Sequence, residues 1–485
     1  MASKLVSRLY SIQIGVIKYI QNGAHQNYFM VSTSVSVADM DYDLIRQIKD
    51  GSLKIAIYGL GHVGSPLAAA WLRAGAHVIG VDNSRKVLRA AMEGRTLIPE
   101  PGISEAYAEA LKNNRFELFD DPIEASKKSY FKMICVPVLS EEMSADLRAV
   151  NEVATSIGEG LKKGDVISLN PSVPPGTTED VIVPIIEKTS GLSVERDFCM
   201  VYNPERIYEG RALQDIEENY PAIVSSIGPD SQKISHTLYS MIFRKGILMI
   251  SNIRTAEAEK LFEGVYRDVN IALANEMAKL CEAAEIDFWE AREAANSQPY
   301  CHIHKPGIGV GGACIPIYPQ FILDLARRLN VQSDITRMSR IINNSMPAYC
   351  VSRALQLVKK TDPSKLNVTI LGLAFRGGVS DTRLSPTYAL IDELRKYGVN
   401  RIIIHDPLVS EDPNLSSDLI LTSNLEEALK GSDLVILVAD HPEYKNLGRD
   451  QLGNIPVYDG RGILNSKTDI GLNYAVLGVR KGIKD

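Results

Sequence analysis

The sequence predicts an α/β chain of two doubly wound domains joined by a long central helix. Three observations carry that expectation. Strand-like and helix-like runs alternate over residues 51–250, one helical stretch without a proline runs from about Thr255 to Ser297, and strand–helix alternation resumes at Leu366. At 485 residues the chain has room for roughly three domains and a core that needs no disulfide staple. Lys and Arg number 53 against 59 Asp and Glu, a net charge of −6, which argues against a general nucleic-acid-binding surface but leaves room for a local phosphate pocket. With 45% apolar and 23% charged residues the composition is globular, and no uncharged apolar run is long enough to span a membrane.

Residues 1–50 read as an appendage, in which Asp41–Asp50 is expected to form a short helix. The cysteines (Cys135, Cys199, Cys281, Cys301, Cys314, Cys350) include no CxxC pair. With no secretory leader in view, a reducing cytoplasm is the expected compartment.

The first domain is expected over 51–250. A short apolar strand from Lys54 runs into Gly59-x-Gly61-x-x-Gly64, with His62 and Val63 inside the pattern, and then into a helical stretch from Ser65 to Ala74. In such a turn Gly59 allows the reversal, Gly61 lets backbone NH groups approach a pyrophosphate, and Gly64 lets helix pack on strand. A second strand, His77–Asp82, ends in an acid 23 positions after Gly59, close to the spacing of a ribose-binding carboxylate. Asp82 would repel a 2′-phosphate, so the expected cofactor is NAD rather than NADP. Tyr130–Val136 and Asp165–Leu169 read as further strands, with Ala145–Leu161 helical between them.

A central region is expected over 251–350. Leu261, Val265, Val269, Ala272, Leu273, Met277 and Leu280 recur at spacings of three and four, the mark of a helix that could reach about 60 Å. That length suits a spine between domains and a homodimer seam, with Gly264 and Asp287 as candidate breaks. The loop Lys305–Pro316 then sets Cys314 directly after Gly307, Gly309, Gly311 and Gly312, a costly concentration of glycine suited to wrapping a ligand. Cys314 reads either as a thiol presented to that ligand or as a structural thiol beside a turn. Cys301, His302, His304 and Cys314 are too crowded for a metal set, and no metal is expected. From 351 to 485, strands at Leu366–Phe375, Arg401–His405 and Asp433–Val438 and a helix at Ser385–Tyr397 form a second, Rossmann-like half. It lacks the full glycine fingerprint, so no second dinucleotide is expected there.

In order along the chain stand GLGHVG with Asp82, Glu100-Pro-Gly102, Val173–Thr178, Asn203-Pro-Glu-Arg206 with Glu209-Gly210, Glu257-x-x-Lys260, the Cys314 loop, and Asp381–Pro386. In this combination residues 51–480 resemble the nucleotide-sugar 6-dehydrogenases, the UDP-glucose/GDP-mannose dehydrogenase family. The resemblance implies a four-electron oxidation of the C6 alcohol of a UDP-sugar to a carboxylate, with NAD as acceptor. Cys314 matches the family nucleophile and Lys260 the lysine that stabilises the oxyanion. Glu205 and Glu209 match positions near the hydrolytic water and substrate, and on a helix their spacing of four would put both on one face. Ser172 matches a cofactor-side position, and Arg206, Gly311, Arg376 and Arg383 match substrate-binding positions. Asn203–Ile207 and Glu218–Val224 are similar to the branch acting on UDP-N-acetylhexosamines, so UDP-N-acetyl-D-mannosamine is the expected substrate. UDP-glucose and a catalytically silent UDP-sugar-binding chain are the alternatives. The chain departs from the family pattern at Gly264 (usually asparagine), Tyr318 (usually aspartate), Val138 (usually a hydroxyl residue) and Arg376 (usually lysine). The first two bear on thioester hydrolysis. No nucleic-acid or membrane partner is expected.

Overall fold

Alternating apolar strands and amphipathic helices build two mainly parallel sheets in the computed structural model, which describes residues 41–141, 144–358, 362–464 and 473–480. Most of the expected appendage thus lies outside the described residues. Its end, Tyr42–Asp50, is the expected helix, capped by Asp41, whose carboxylate accepts from the Leu44 amide.

The first sheet contains β1 (Ile55–Tyr58), β2 (Val78–Val81), β3 (Phe116–Phe119) and β4 (Phe131–Ile134). After a two-stranded ribbon of β5 (Leu139–Glu141) and β6 (Ser144–Asp146) it continues with β7 (Val166–Leu169), β8 (Cys199–Tyr202), β9 (Ala222–Ser226) and β10 (Ile247–Met249). The order is β10-β9-β8-β7-β4-β1-β2-β3, parallel throughout except for the antiparallel pairing of β8 with β9. Ile55, Ile57 and Met133 feed one apolar core, and Ala56, Tyr58 and Ile134 feed a second. Successive side chains point to opposite faces, so a strand apolar at every position must be covered by helices on both sides. The strand order reverses between β1 and β4, the place where such folds bind their ligands.

The second sheet repeats the plan with β11 (Asn367–Leu371), β12 (Arg401–His405), β13 (Ile420–Thr422), β14 (Leu434–Leu437), β15 (Val457–Asp459) and β16 (Tyr474–Val476), in the order β13-β12-β11-β14-β15-β16 and all parallel. The chain divides into two compact units at Lys260/Leu261, with Ser140–Ser144 assigned to the second.

The central helix, Ile253–Ala284, begins in the first unit and ends in the second. Its 32 residues give about 48 Å, which corrects the longer single helix expected from Thr255 to Ser297. The reason is local. Glu285 takes a left-handed φ of 59°, and the Asp287 side chain caps a new helix, Phe288–Asn296, by accepting from the Trp289 and Glu290 amides. Of the two candidate breaks Asp287 is therefore the real one, and the helix passes through Gly264. The helix expected from Ala145 starts instead at Arg148, because β6 occupies the residues before it. Among the described residues no helix is long and apolar enough to cross a membrane.

Candidate functional site

The three glycines after β1 do three different things. Gly59 has φ +94°, and a Cβ there would stand 3.2 Å from the Val136 amide nitrogen, on the loop after β4. A Cβ on Gly64 would overlap the Gly59 carbonyl oxygen, so only glycine lets the helix Gly64–Arg73 start this close to the strand. A Cβ on Gly61 would meet nothing within 4 Å, so the turn is open on that side. That helix begins without a side-chain cap, and the Ser65 and Leu67 amides bond the Gly61 and Val63 carbonyls at 3.0 and 3.3 Å. Asp82, at the end of β2, accepts from the Leu60 amide through Oδ2 at 2.9 Å and from the Ser84 amide through Oδ1 at 2.8 Å. The acid therefore fixes the glycine turn. Val138 and Ser172, on the loops after β4 and β7, are half-buried.

Glu205 and Glu209 do not share a helix face, because 203–208 is an irregular segment. This corrects the reading from their spacing. Pro204 gives no amide, and the Glu205 carboxylate accepts from the Ile207 amide at 2.7 and 2.6 Å, a turn that competes with helix. Burial pushes the Glu205 carboxyl up to about 7, although the Lys260 charge and the Ile207 and Arg206 amides pull it down. Glu205 therefore changes charge near neutrality. Glu209 turns the other way, its Oε1 2.9 Å from His62 Nδ1 inside the glycine turn. The Arg206 guanidinium lies 5.3 Å from the Tyr220 ring centroid, and the Tyr220 hydroxyl donates to the Arg206 carbonyl.

Two acids that motif reading left without a role hold these loops. Glu100 accepts from the Gly210 amide at 2.5 Å and the Ala212 amide at 3.1 Å, which ties the Glu209 turn to a segment 110 residues earlier. Buried Glu257 accepts from the Gly176 amide at 2.5 Å, the Thr178 amide at 2.9 Å and the Thr178 hydroxyl at 2.6 Å. Burial raises its carboxyl and those bonds oppose the rise. Lys260 follows one turn later on the helix and is itself 9% exposed, so Glu257 locks the Lys260 turn to the Val173–Thr178 loop.

In the second unit Cys314 is exposed, and its carbonyl accepts from the Ile317 and Tyr318 amides at 3.1 and 3.0 Å. The glycines before it serve close packing, a reason not visible in the sequence. A Cβ on Gly311 would stand 2.7 Å from the Leu384 carbonyl oxygen and 2.8 Å from Phe375 Cβ. Gly312, at φ +88°, donates to the Arg383 carbonyl at 2.9 Å. The Arg383 fork is held by Asp381, with Nε to Oδ1 at 2.8 Å and Nη2 to Oδ2 at 2.6 Å, and Arg376 donates to the Gly377 carbonyl at 3.1 Å. A buried ladder supports the loop: Asp268 accepts from Arg340 and Asn343, Asn343 accepts from Asn275, and Asn275 accepts from the Gly307 amide. Among the described residues no group of three His, Cys, Asp or Glu is placed to hold a metal.

Two sheets in the order of dinucleotide-binding folds, a glycine turn closed by an acid, and an exposed thiol at the end of a glycine loop define an NAD-dependent oxidoreductase class. The family-level match is complete in its parts. Residues 53–243 match the NAD binding domain of the UDP-glucose/GDP-mannose dehydrogenase family, 254–345 its central domain and 369–466 its UDP binding domain. The chain is 32% identical over 418 residues to a UDP-N-acetyl-D-mannosamine dehydrogenase of Pyrococcus horikoshii, covering 85% of this chain and 96% of that one. Its fold is similar to the solved structure of the UDP-D-ManNAc dehydrogenase of Pyrococcus horikoshii, with a TM-score of 0.81 at 30% identity over 89% of this chain and 100% of that one. It is also similar to the UDP-N-acetyl-mannosamine dehydrogenase of Staphylococcus aureus, with a TM-score of 0.77 at 30% identity over 88% and 98%. The chain belongs to the UDP-glucose/GDP-mannose dehydrogenase family and is an NAD-dependent nucleotide-sugar dehydrogenase.

Proposed function

We propose that this dehydrogenase oxidises the C6 alcohol of UDP-N-acetyl-D-mannosamine to the carboxylate. The exposed Cys314 thiol carries the four-electron reading, because a one-step alcohol oxidation needs no nucleophile. The names of the relatives similar over nearly the whole chain support this sugar. Bound NAD supplies the hydride acceptor for both oxidations.

In this proposal the Cys314 thiolate adds to the C6 aldehyde, forming a C–S bond and a tetrahedral oxyanion that the Lys260 ammonium stabilises. After the second hydride is lost the carbon is a thioester. Water then adds to it, the C–S bond breaks, and the electron pair returns to sulfur as the acid is released. Glu205, poised near neutrality, takes the proton from that water. Gly61, Val63, Ser172 and Asp82 hold the cofactor. Arg206, Gly311, Arg376 and Arg383 hold the UDP-sugar, with the Asp381–Arg383 pair yielding a bidentate fork to a phosphate.

A cytoplasmic setting suits a catalytic thiol, and the product suits a route that builds uronic acid into glycans. Phe262, Tyr266, Leu273, Met277 and Leu280, all exposed along the central helix, suit a homodimer seam, which light scattering of the purified protein checks. The deciding assay supplies NAD with UDP-N-acetyl-D-mannosamine and, separately, UDP-glucose. We expect two NADH and one carboxylate per N-acetylated sugar, and no acid from Cys314→Ser. Acid formation by that variant overturns the covalent route, and faster turnover of UDP-glucose overturns the choice of sugar.

A further inference from the structure

Gly264 stands in the interior of a 32-residue helix, where glycine is destabilising relative to alanine. The structure contains a reason for that expense. A Cβ at this position would overlap Tyr318 Cδ2 and come within 3.2 Å of Tyr318 Cβ and Cγ, so the phenol ring lies directly on the helix backbone. Tyr318 is 7% exposed, and the notch left by the missing side chain is filled. Tyr318 is also the residue whose amide closes the turn onto the Cys314 carbonyl, at 3.0 Å. It begins the helix Tyr318–Arg328, with Pro319 in the first turn, and buried Pro316 lies between it and Cys314. The five residues from Cys314 to Tyr318 thus have one end keyed into the central helix and little backbone freedom in between.

We propose that Tyr318 is a positioning residue for the Cys314 thiol, acting through its ring, and that Gly264 exists to seat that ring. The proposal rests on the reading of Cys314 as the nucleophile. The departures from the family pattern at 264 and 318 are then one change rather than two. A larger side chain at 264 and the ring at 318 cannot coexist.

The test compares Tyr318→Phe, Tyr318→Ala and Gly264→Ala in the full-length enzyme, each checked for folding by circular dichroism. It measures kcat and KM for the UDP-sugar and the rate and pH profile of Cys314 alkylation by iodoacetamide, read by peptide mass. Tyr318→Phe keeps the ring and should stay within about twofold of the parent. Tyr318→Ala and Gly264→Ala should lose between about ten- and a hundredfold in kcat, the scale of a misplaced reacting group, with KM nearly unchanged and the alkylation profile altered. Gly264→Ala raises helix propensity, so it reports even if Tyr318→Ala fails to fold. Parent-like kcat in Gly264→Ala overturns the proposal. So does a Tyr318→Phe variant as impaired as an alanine variant, or an alkylation profile that none of the changes moves. Retained acid formation by Cys314→Ser would instead overturn the nucleophile reading itself, whatever happens at Tyr318.

Discussion

The Glu209 carboxylate stands 2.9 Å from His62 Nδ1, which ties the acid after the Asn203–Arg206 segment to the turn between Gly61 and Gly64. Neither group is fully buried, so the pair is worth at most about 1 kcal/mol. Its place in the glycine turn makes cofactor affinity the property it should tune. Glu209→Gln and His62→Ala should each raise KM for NAD about two- to fivefold and leave kcat within about twofold. The double variant should be no worse than the singles, because both remove one interaction. Steady-state kinetics on the four proteins checks this. A collapse of kcat in Glu209→Gln alone would assign the carboxylate to the sugar instead.

Glu205 gives the reaction a pH limb. Its carboxyl, pushed up to about 7 from an ordinary 4.5, is protonated in the folded protein at pH values where an exposed glutamate is charged. A base must be ionised, so thioester hydrolysis should slow as pH falls below about 7, and acyl-enzyme should build up on Cys314. Glu205→Gln should accumulate that species at every pH and lose the limb, as rapid-quench mass spectrometry would read. The stability linkage has the opposite sign. A carboxyl raised on folding contributes stability that is fully present below its unfolded value and lost as pH rises through about 7. Glu205→Gln should therefore flatten the fall in melting temperature between acidic and alkaline buffer.

Much of this arrangement is legible along the chain because it is local. The glycine turn is fixed by backbone sterics at Gly59 and Gly64, and a sheet covered on both faces follows from uninterrupted apolar runs such as Ile55–Tyr58. What periodicity misreads is a short-range competitor. Asp287 offers its carboxylate to two amides and restarts the helix, while Glu205 turns back on the Ile207 amide. What no pattern reveals is a contact between distant segments. Glu100, Glu257 and Asp268 look like ordinary surface acids until the fold brings them to amides and side chains 110, 81 and 72 residues away. The glycines before Cys314 read as a ligand-wrapping ribbon, yet at Gly311 and Gly312 Phe375 and Leu384 also leave no room for a side chain.

Asp268 is where that hidden class should matter most for stability. It is fully buried, and its Oδ1 accepts from Arg340 Nη1 at 2.6 Å and Asn343 Nδ2 at 2.8 Å, while Oδ2 accepts from the Ser339 hydroxyl at 3.0 Å. Arg340 is only 8% exposed, so Asp268→Asn would strand a guanidinium away from water without its counter-charge. Removing one member of a buried pair typically costs about 3–5 kcal/mol, mostly as the penalty on the partner left behind. Asp268→Leu combined with Arg340→Met removes both charges and should cost less than Asp268→Asn alone, since apolar replacements of buried pairs are often close to neutral. Denaturant unfolding of the three proteins separates the two cases. The loss should also reach the thiol loop, because Asn343 bonds Asn275, which in turn accepts from the Gly307 amide at 2.9 Å. Faster proteolysis between Lys305 and Pro316 in Asp268→Asn, relative to the double variant, is the expected sign. Equal stability of Asp268→Asn and the parent would mean that the ladder carries no net charge pairing worth the name, and that packing alone holds the loop.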